Sequence, residues 1–458
     1  MKWLNDLQWG SSQGNNFIHI RKMRESCNQS HREVRRLRIR IPYGQKETEF
    51  DILKRNLLKH CSLKKVREIR DLKAETTRRL RDPIGSRPLS KLVGPGKKIA
   101  ILVDDWARPT PTSKIVSAIL EELNGAGVSK KDITFVIARG THRACGEEEL
   151  LRKLGEQVMD RFEVVQHDCD NKGQLAYLGT TSFGTPVWAN RLVVESDFKM
   201  GIGNLIANHI SGFSGGAKIV LPGICGRDTI EQNHSMEGSY HCRLGNVKSN
   251  PVRQDMNEVA RMVGLNFIVN TVLNSQKKVV RLVAGDFMKA HEKGAAIIKK
   301  LYGVKIRKMA DIAIVSATPI DSNLFYAEKA ATIGEMVTKK GGTLIVVSPC
   351  YDGVGGSPPE DFYNFMVKRA KPEEMLRLVV KKQVPGSPGG VVLWWREVLE
   401  DREVVVVSDG IREEQLREMG LRQASSVQSA LEYSLGKHGA DAKVTILDSA
   451  LLLPLSGT

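Results

Sequence analysis

The sequence predicts an α/β protein built of two domains. Three observations carry that prediction. Its 458 residues exceed what one ordinary core organises, since domains cluster at roughly 100–150 residues. From Lys97 onward, short β-branched runs alternate with longer amphipathic stretches, which is the rhythm of a βαβ sheet. Chemically distinctive side chains then recur just after the ends of those runs, and open α/β sheets bind ligands at that edge.

Residues 1–37 are basic and include the polar run Gly10 to Asn16, without the apolar core of a secretory signal. They read as a leader, disordered or an over-extended start. The first convincing strand is Arg38-Ile39-Arg40-Ile41, closed by the turn Pro42-Tyr43-Gly44. KKIAILVDD (97–105) reads as a buried strand, SKIVSAILEELNGAG (113–127) as a helix closed by glycine, and DITFVIARG (132–140) as the next strand. RFEVVQHD (161–168) and FKMGIGNL (198–205) continue the alternation. The segment 276–303 ends a first domain, taken as 38–300, and bridges to a second, 301–458. There DIAIVSATP (311–319), a helix around Lys329 to Thr338, GGTLIVVSPC (341–350) and REVVVVSDG (402–410) repeat the pattern. PGSPGG (385–390) reads as a mobile loop inside the second domain.

Composition narrows the function classes. A hydrophobic content of 41% with 26% charged residues is globular, and no stretch approaches the roughly 18 apolar residues of a membrane span. The seven cysteines (27, 61, 145, 169, 225, 242, 350) are odd in number and form no CxxC pair, which reads as reduced thiols in a cytoplasmic protein. The net charge of +17 is spread along the chain with no nucleic-acid motif beside it, so it implies attraction for anionic ligands rather than nucleic acid.

Asp105 and Arg108 emerge after ILVDD, where Arg can clamp a carboxylate and Asp can fix a histidine tautomer. A surface ion pair followed by a helix cap at Thr112 or Ser113 is the plainer alternative. His142, in GTHR, follows the next strand in the same way. The sharpest motif is His209-Ile-Ser-Gly-Phe-Ser214-Gly215-Gly216-Ala-Lys218, whose small residues let backbone amides approach an anion such as a phosphate. It is not a nucleoside-triphosphate loop, because Lys218 is followed by Ile219 rather than Ser or Thr. His142 and His209 can trade protons near neutral pH. His234 suits a metal held by one imidazole plus soft donors from a cofactor, since the chain has no thiolate cluster. His167, His241 and His291 lack comparable context and read as surface or structural. In the second domain Asp321, Phe325, Tyr326 and Lys329 follow a strand. Lys329 could meet a substrate carboxylate or a cofactor phosphate, or be simply solvated. Of the pair Trp394-Trp395, one is expected in the core and the other toward the cleft or solvent.

The ordered set DxxRPTP (105–111), GTHR (140–143), H…GFSGGAK (209–218), PG (222–223) and NH (233–234) resembles the nickel-dependent lactate racemase family of 2-hydroxyacid racemases and epimerases. The resemblance implies two α/β domains with the active site in the cleft between them. It implies nickel in a nickel-pincer nucleotide, a pyridinium mononucleotide whose two sulfur-bearing arms and ring carbon grip the metal. Lys218 would join this cofactor covalently, with Ser214, Gly215, Gly216 and Trp395 around it, and His234 would be the fourth ligand of a square-planar site. His142 and His209 match the paired acid/base histidines, Asp105 and Arg108 the residues that orient them and the substrate, and Lys329 the second-domain lysine.

The implied substrate is a small 2-hydroxy acid inverted at C2, and the implied partners are cofactor-synthesis proteins. One histidine takes the hydroxyl proton as the C2 hydride moves to the cofactor, and the planar keto acid receives hydride back on its other face. Phe325-Tyr326 stands where lactate racemases have Tyr-Gln, which leaves carboxylate recognition, and lactate itself, open. Two alternatives are a dehydrogenase-like oxidoreductase using the same site and a non-catalytic cofactor-binding protein. The lack of a strand-to-helix GxGxxG counts against the first, and the presence of both His142 and His209 against the second.

Overall fold

The computed structural model describes residues 35–456 apart from 240, 357, 358 and 382, so the leader read in residues 1–37 lies almost wholly outside the described residues. Six strands form a first sheet in the order Val279–Gly285, Phe267–Leu273, Phe198–Asn204, Ile99–Asp104, Ile133–Ala138 and Glu163–Gln166. All neighbours are parallel except the first pair. Apolar clusters cover both faces, which is why IAILVD and ITFVIA run as unbroken apolar stretches instead of alternating.

The chain enters this sheet at Ile99–Asp104, builds outward to Glu163–Gln166, then returns to Phe198–Asn204 on the other side and builds outward again. Its connections diverge between Ile99–Asp104 and Phe198–Asn204, and such a switch point opens a ligand crevice at the carboxyl ends of the strands. Asp105 leaves one of these two strands and the segment Leu205 to Lys218 leaves the other.

The second sheet is parallel throughout, in the order Arg422–Ala424, Glu403–Val407, Thr338–Val347, Ala310–Ser316, Val444–Leu447 and Leu57–Cys61. Its connections diverge at Ala310–Ser316, from which the chain runs into the helix Leu324–Glu335. The two domains share apolar packing: Leu205, Phe213 and Val272 from the first lie in one cluster with Leu324, Ala327 and Ala331 from the second. Among the described residues no helix is long and apolar enough to cross a membrane.

Three elements differ from the sequence-based expectation. The hairpin Arg36–Tyr43 with Lys46–Leu53 buries Ile39, Ile41, Phe50 and Ile52 against Ile312, Ile345 and Val405. With Leu57–Cys61 at the sheet edge, residues 36–61 therefore pack with the second sheet, although the chain from 38 to 300 was expected in the first. A parallel edge strand finds its partner through distant sequence, and nothing local in LLKHC names that partner. The helix expected around Lys329 to Thr338 spans Leu324–Glu335, because Asn323 caps it by accepting from the Tyr326 amide (3.0 Å).

PGSPGG is no mobile loop but the opening of the helix Gly386–Asp401. Pro388 falls in the first turn, where its missing N–H costs nothing. Gly389 and Gly390 let Val384 and the Glu237 carboxylate approach to where a Cβ would stand.

Candidate active site

The loop after Ile99–Asp104 is held from below. Asp104 is buried and pairs with the Lys153 amine (2.5 Å), while Thr110 Oγ1 donates to its other oxygen (2.5 Å). Lys153 also donates to the Arg108 carbonyl (2.9 Å). Asp105 is thereby turned to His142, whose Nδ1–H donates to its carboxylate at 2.5 Å. Burial alone would raise the Asp105 carboxyl, but the His142 hydrogen bond and the Arg108 and Lys153 charges hold it below the usual range. With Nδ1 committed to Asp105, Nε2 of His142 is the nitrogen left to accept a proton. The GTHR and PG motifs meet directly: Gly140, at φ +53°, donates to the Gly223 carbonyl (3.0 Å).

The glycine-rich segment does not do what its composition suggested. Its polar groups are already engaged by the protein: Ser214 Oγ donates to the Asn204 carbonyl (2.9 Å), the Ser214 amide to Ile206 (2.9 Å), and the Gly216 amide to Asn270 Oδ1 (2.9 Å). Buried Arg253 bonds the carbonyls of Ser211, Phe213 and Gly215. The amides of Ser214 and Gly216, expected with Gly215 to cradle the cofactor, are bonded within the protein, in a turn that sets Lys218 in place. Gly216, at φ +58°, would carry a Cβ 2.7 Å from the His291 ring, and that buried imidazole donates to the Ser214 carbonyl (3.0 Å). Gly216→Ala is therefore expected to cost roughly 1–3 kcal/mol, read as a lowered melting temperature, and to displace the Lys218 backbone.

Lys218 follows in the short 3₁₀ turn Gly216–Ile219. Burial, with Arg108 and Arg253 nearby, pushes its amine down to about 7, so a large share of it is the neutral, nucleophilic form near neutral pH.

His209 is buried, and its Nδ1 lies 3.3 Å from Glu328 Oε2 on the second-domain helix Leu324–Glu335. The Trp394 ring meets it edge-on at 5.1 Å, and Arg243 stacks on the far part of that indole at 4.9 Å. Burial and the charges of Lys218, Lys329 and Arg243 lower the imidazole to about 3. Of the tryptophan pair it is thus Trp394 that touches the site, while Trp395, assigned to the cofactor-binding set, lies in the second-domain core. Both indoles are buried, and neither faces solvent.

His234 ends the helix Arg227–His234 with its Nδ1–H donating to the Ile230 carbonyl (2.9 Å). That bond fixes the tautomer and leaves the Nε2 lone pair for a ligand, the usual arrangement behind a metal-binding imidazole. Burial and Lys218 hold it down to about 4. Lys329 is buried with its amine lowered to about 7 by burial, Glu328 opposing and Arg108 assisting; it is not a solvated lysine. Burial raises Tyr326, which feels Arg108 and Asp105 from across the cleft, whereas Phe325 turns inward onto Phe362 (5.3 Å). Asp321 stands aside, accepting from the Thr318 hydroxyl (2.6 Å) and the Gly44 amide (3.1 Å).

His209 Nε2, Lys329 Nζ and both oxygens of buried Glu237 make no hydrogen bond among the described residues. The Lys218 charge acts on His209 and His234, disfavouring their protonation, and on Glu237, favouring its ionised form. His167 is structural as expected, its Nε2 bonded to the Cys225 carbonyl (2.9 Å).

Glu328, Arg253, Asn270 and Glu237 were not singled out from sequence. For Glu328 a signal existed: Glu-Lys is the charged interruption of LFYAEKAATIG, a run otherwise apolar or small, which marks both side chains as buried and engaged.

Comparison with known proteins identifies the family. Family models of the lactate racemase N-terminal and C-terminal domains match residues 43–243 and 305–452. The lactate racemase of Thermoanaerobacterium thermosaccharolyticum is 30% identical over 422 residues, which is 89% of this chain and 97% of that one. The Lactiplantibacillus plantarum lactate racemase is 32% identical over 380 residues, 81% and 88% of the two chains. The apoprotein structure of the Thermoanaerobacterium enzyme superposes with a TM-score of 0.84 at 29% identity, covering 92% of this chain and all of the other. Both domains being matched in order over most of its length, the chain belongs to the lactate racemase family.

Proposed function

We propose that this protein racemises lactate or a closely related small 2-hydroxy acid, with nickel held in a nickel-pincer nucleotide and His142 and His209 as its proton-exchanging pair. The observation that carries the reading is the gathering, at one sheet switch point, of two carboxylate-backed imidazoles with a lysine whose amine is partly neutral at pH 7. The relatives named lactate racemase support lactate as the first substrate to try.

The residues fit the cofactor. Lys218 offers a nucleophilic amine for attachment, His234 an imidazole whose free Nε2 suits a square-planar metal, and the unpartnered polar atoms of Glu237 and Lys329 await a polar ligand. When bound, the cofactor supplies the hydride acceptor and donor. The protein's share is position and proton transfer. Arg108 and Lys329, with the Tyr326 phenol, supply the positive and hydrogen-bonding groups for a substrate carboxylate. One histidine holds the hydroxyl proton of one enantiomer and the other returns a proton to the opposite enantiomer, so that each face of the keto acid has its own proton-exchanging group. The shared apolar packing between domains excludes water from the exchange. Delivery of the cofactor by synthesis proteins in the cytoplasm belongs to the same reading, supported by the free, buried cysteines among the described residues.

The test is chiral chromatography of cofactor-loaded protein on single enantiomers of lactate, malate, phenyllactate and sugar acids without nicotinamide. Appearance of the opposite C2 configuration is expected, first with lactate. Confirmed nickel and adduct with no inversion of any of these acids would overturn the reading.

A further inference from the structure

We infer that Glu328 is the positioning residue of His209, the counterpart of Asp105 behind His142, and that it is supplied from the opposite domain. This rests on the two-histidine reading above and adds a residue to it. Asp105 and His142 belong to neighbouring strand exits of one sheet, so their bond is internal to the first domain. Glu328 and His209 come from different domains and meet with side-chain exposures of 4% and 9%. Glu328 is held in place, its Oε1 accepting from the Thr332 hydroxyl one turn on, and its Oε2 lies 3.3 Å from His209 Nδ1. The edge-on Trp394 ring fixes the plane of the imidazole, and Nε2 makes no hydrogen bond within the protein.

The surrounding charges say why such a partner is needed. His209 is faced by Lys218 from its own domain, by Arg243, and by Lys329 from the helix that carries Glu328. A buried imidazole beside such positive groups resists gaining a charge of its own. Glu328 offsets this locally, and is itself faced by Lys329, Glu335, Glu397 and buried Glu237. The proton account is simple: His209 Nε2 takes the substrate proton, Nδ1–H stays on the Glu328 carboxylate, and no proton passes to Glu328. Burial raises the Glu328 carboxyl to about 7. Below that pH a protonated Glu328 donates to Nδ1 and leaves the proton on Nε2, the wrong tautomer for a base; above it the carboxylate restores the accepting tautomer.

Glu328→Gln separates this role from a structural one. The full-length, cofactor-loaded variant is expected to lose about 10²-fold or more in kcat with KM within a few-fold, and to lose the acid limb near pH 7. In protein without cofactor, labelled with ¹⁵N-histidine, the His209 nitrogen shifts are expected to change tautomer while those of His142 stay put. His209→Gln runs alongside, and also assigns the His209 signals. If His209→Gln inverts substrate at the wild-type rate, the two-histidine reading itself falls. If His209→Gln is inactive while a folded, nickel-loaded Glu328→Gln keeps the wild-type kcat and tautomer, the role of Glu328 alone is overturned. Should Glu328→Gln not fold, Glu328→Asp carries the test: its carboxylate is one methylene shorter, so a smaller loss in kcat and a partial shift change are expected, and wild-type values for both overturn the proposal.

Discussion

Lys218→Ala is expected to abolish covalent attachment of the cofactor, and with it all racemisation, while leaving the fold intact. The side chain is the end product of a tightly built turn, but the turn itself is tied by Asn270, Arg253 and His291 rather than by the lysine, so removing the amine costs chemistry and little stability. Intact mass spectrometry reads the outcome: wild type gains the adduct mass and the variant does not. An unchanged adduct would refute the assignment. His234→Ala is the contrasting case, expected to keep the adduct and lose nickel in metal analysis. The pH dependence follows from the same lysine. Its neutral form attacks, and its pKa lies at about 7, so attachment speeds up as pH rises through 7 and levels off above it. An unperturbed lysine would keep accelerating toward pH 10.

The second large effect is removal of the imidazoles. His142→Ala and His209→Ala are each expected to lower kcat/KM by roughly 10²–10⁴-fold. Because a racemase interconverts mirror images with an equilibrium constant of one, kcat/KM falls equally in both directions. What distinguishes the two variants is the half-reaction: each is expected to oxidise one enantiomer to the keto acid and fail with the other, read as keto acid formed in a single turnover from each enantiomer separately. The double variant should fall little below the worse single one, since the two groups act as a unit. Wild-type keto acid formation from both enantiomers in either single variant would sink the paired model.

Much of the first domain was legible because its strands are buried on both faces and its ligand-bearing residues follow them, which periodicity and turn chemistry report. His142 and His209, with Lys218 shortly after, were singled out for that reason, and His234 by the helix-like segment before it. The part that stayed hidden depends on long-range contact. Glu328 and Trp394 reach His209 only through the apposition of two domains, and no spacing encodes it. The register of the tryptophans was blurred by PGSPGG, where glycine and proline suggest a loop, yet proline is admitted in the first turn of a helix and the glycines serve close packing against Val384 and Glu237. The glycines of SGFSGG misled in the other direction: composition announces an anion cradle, but only the hydrogen-bond partners reveal that the amides of Ser214 and Gly216 are spent internally.

The edge strand Leu57–Cys61 carries one further consequence. It precedes its partner Val444–Leu447 with the whole first domain between them. The first domain can collapse on its nascent neighbours as a closed insert, whereas the second sheet stays one strand short until Val444–Leu447 has been made. A polypeptide halted or clipped shortly before residue 444 would therefore retain a folded Lys218 turn while exposing a strand with no companion, a natural template for aggregation. Translational pausing and C-terminal truncation should matter more to this protein's yield than damage of similar size within the body of the first domain.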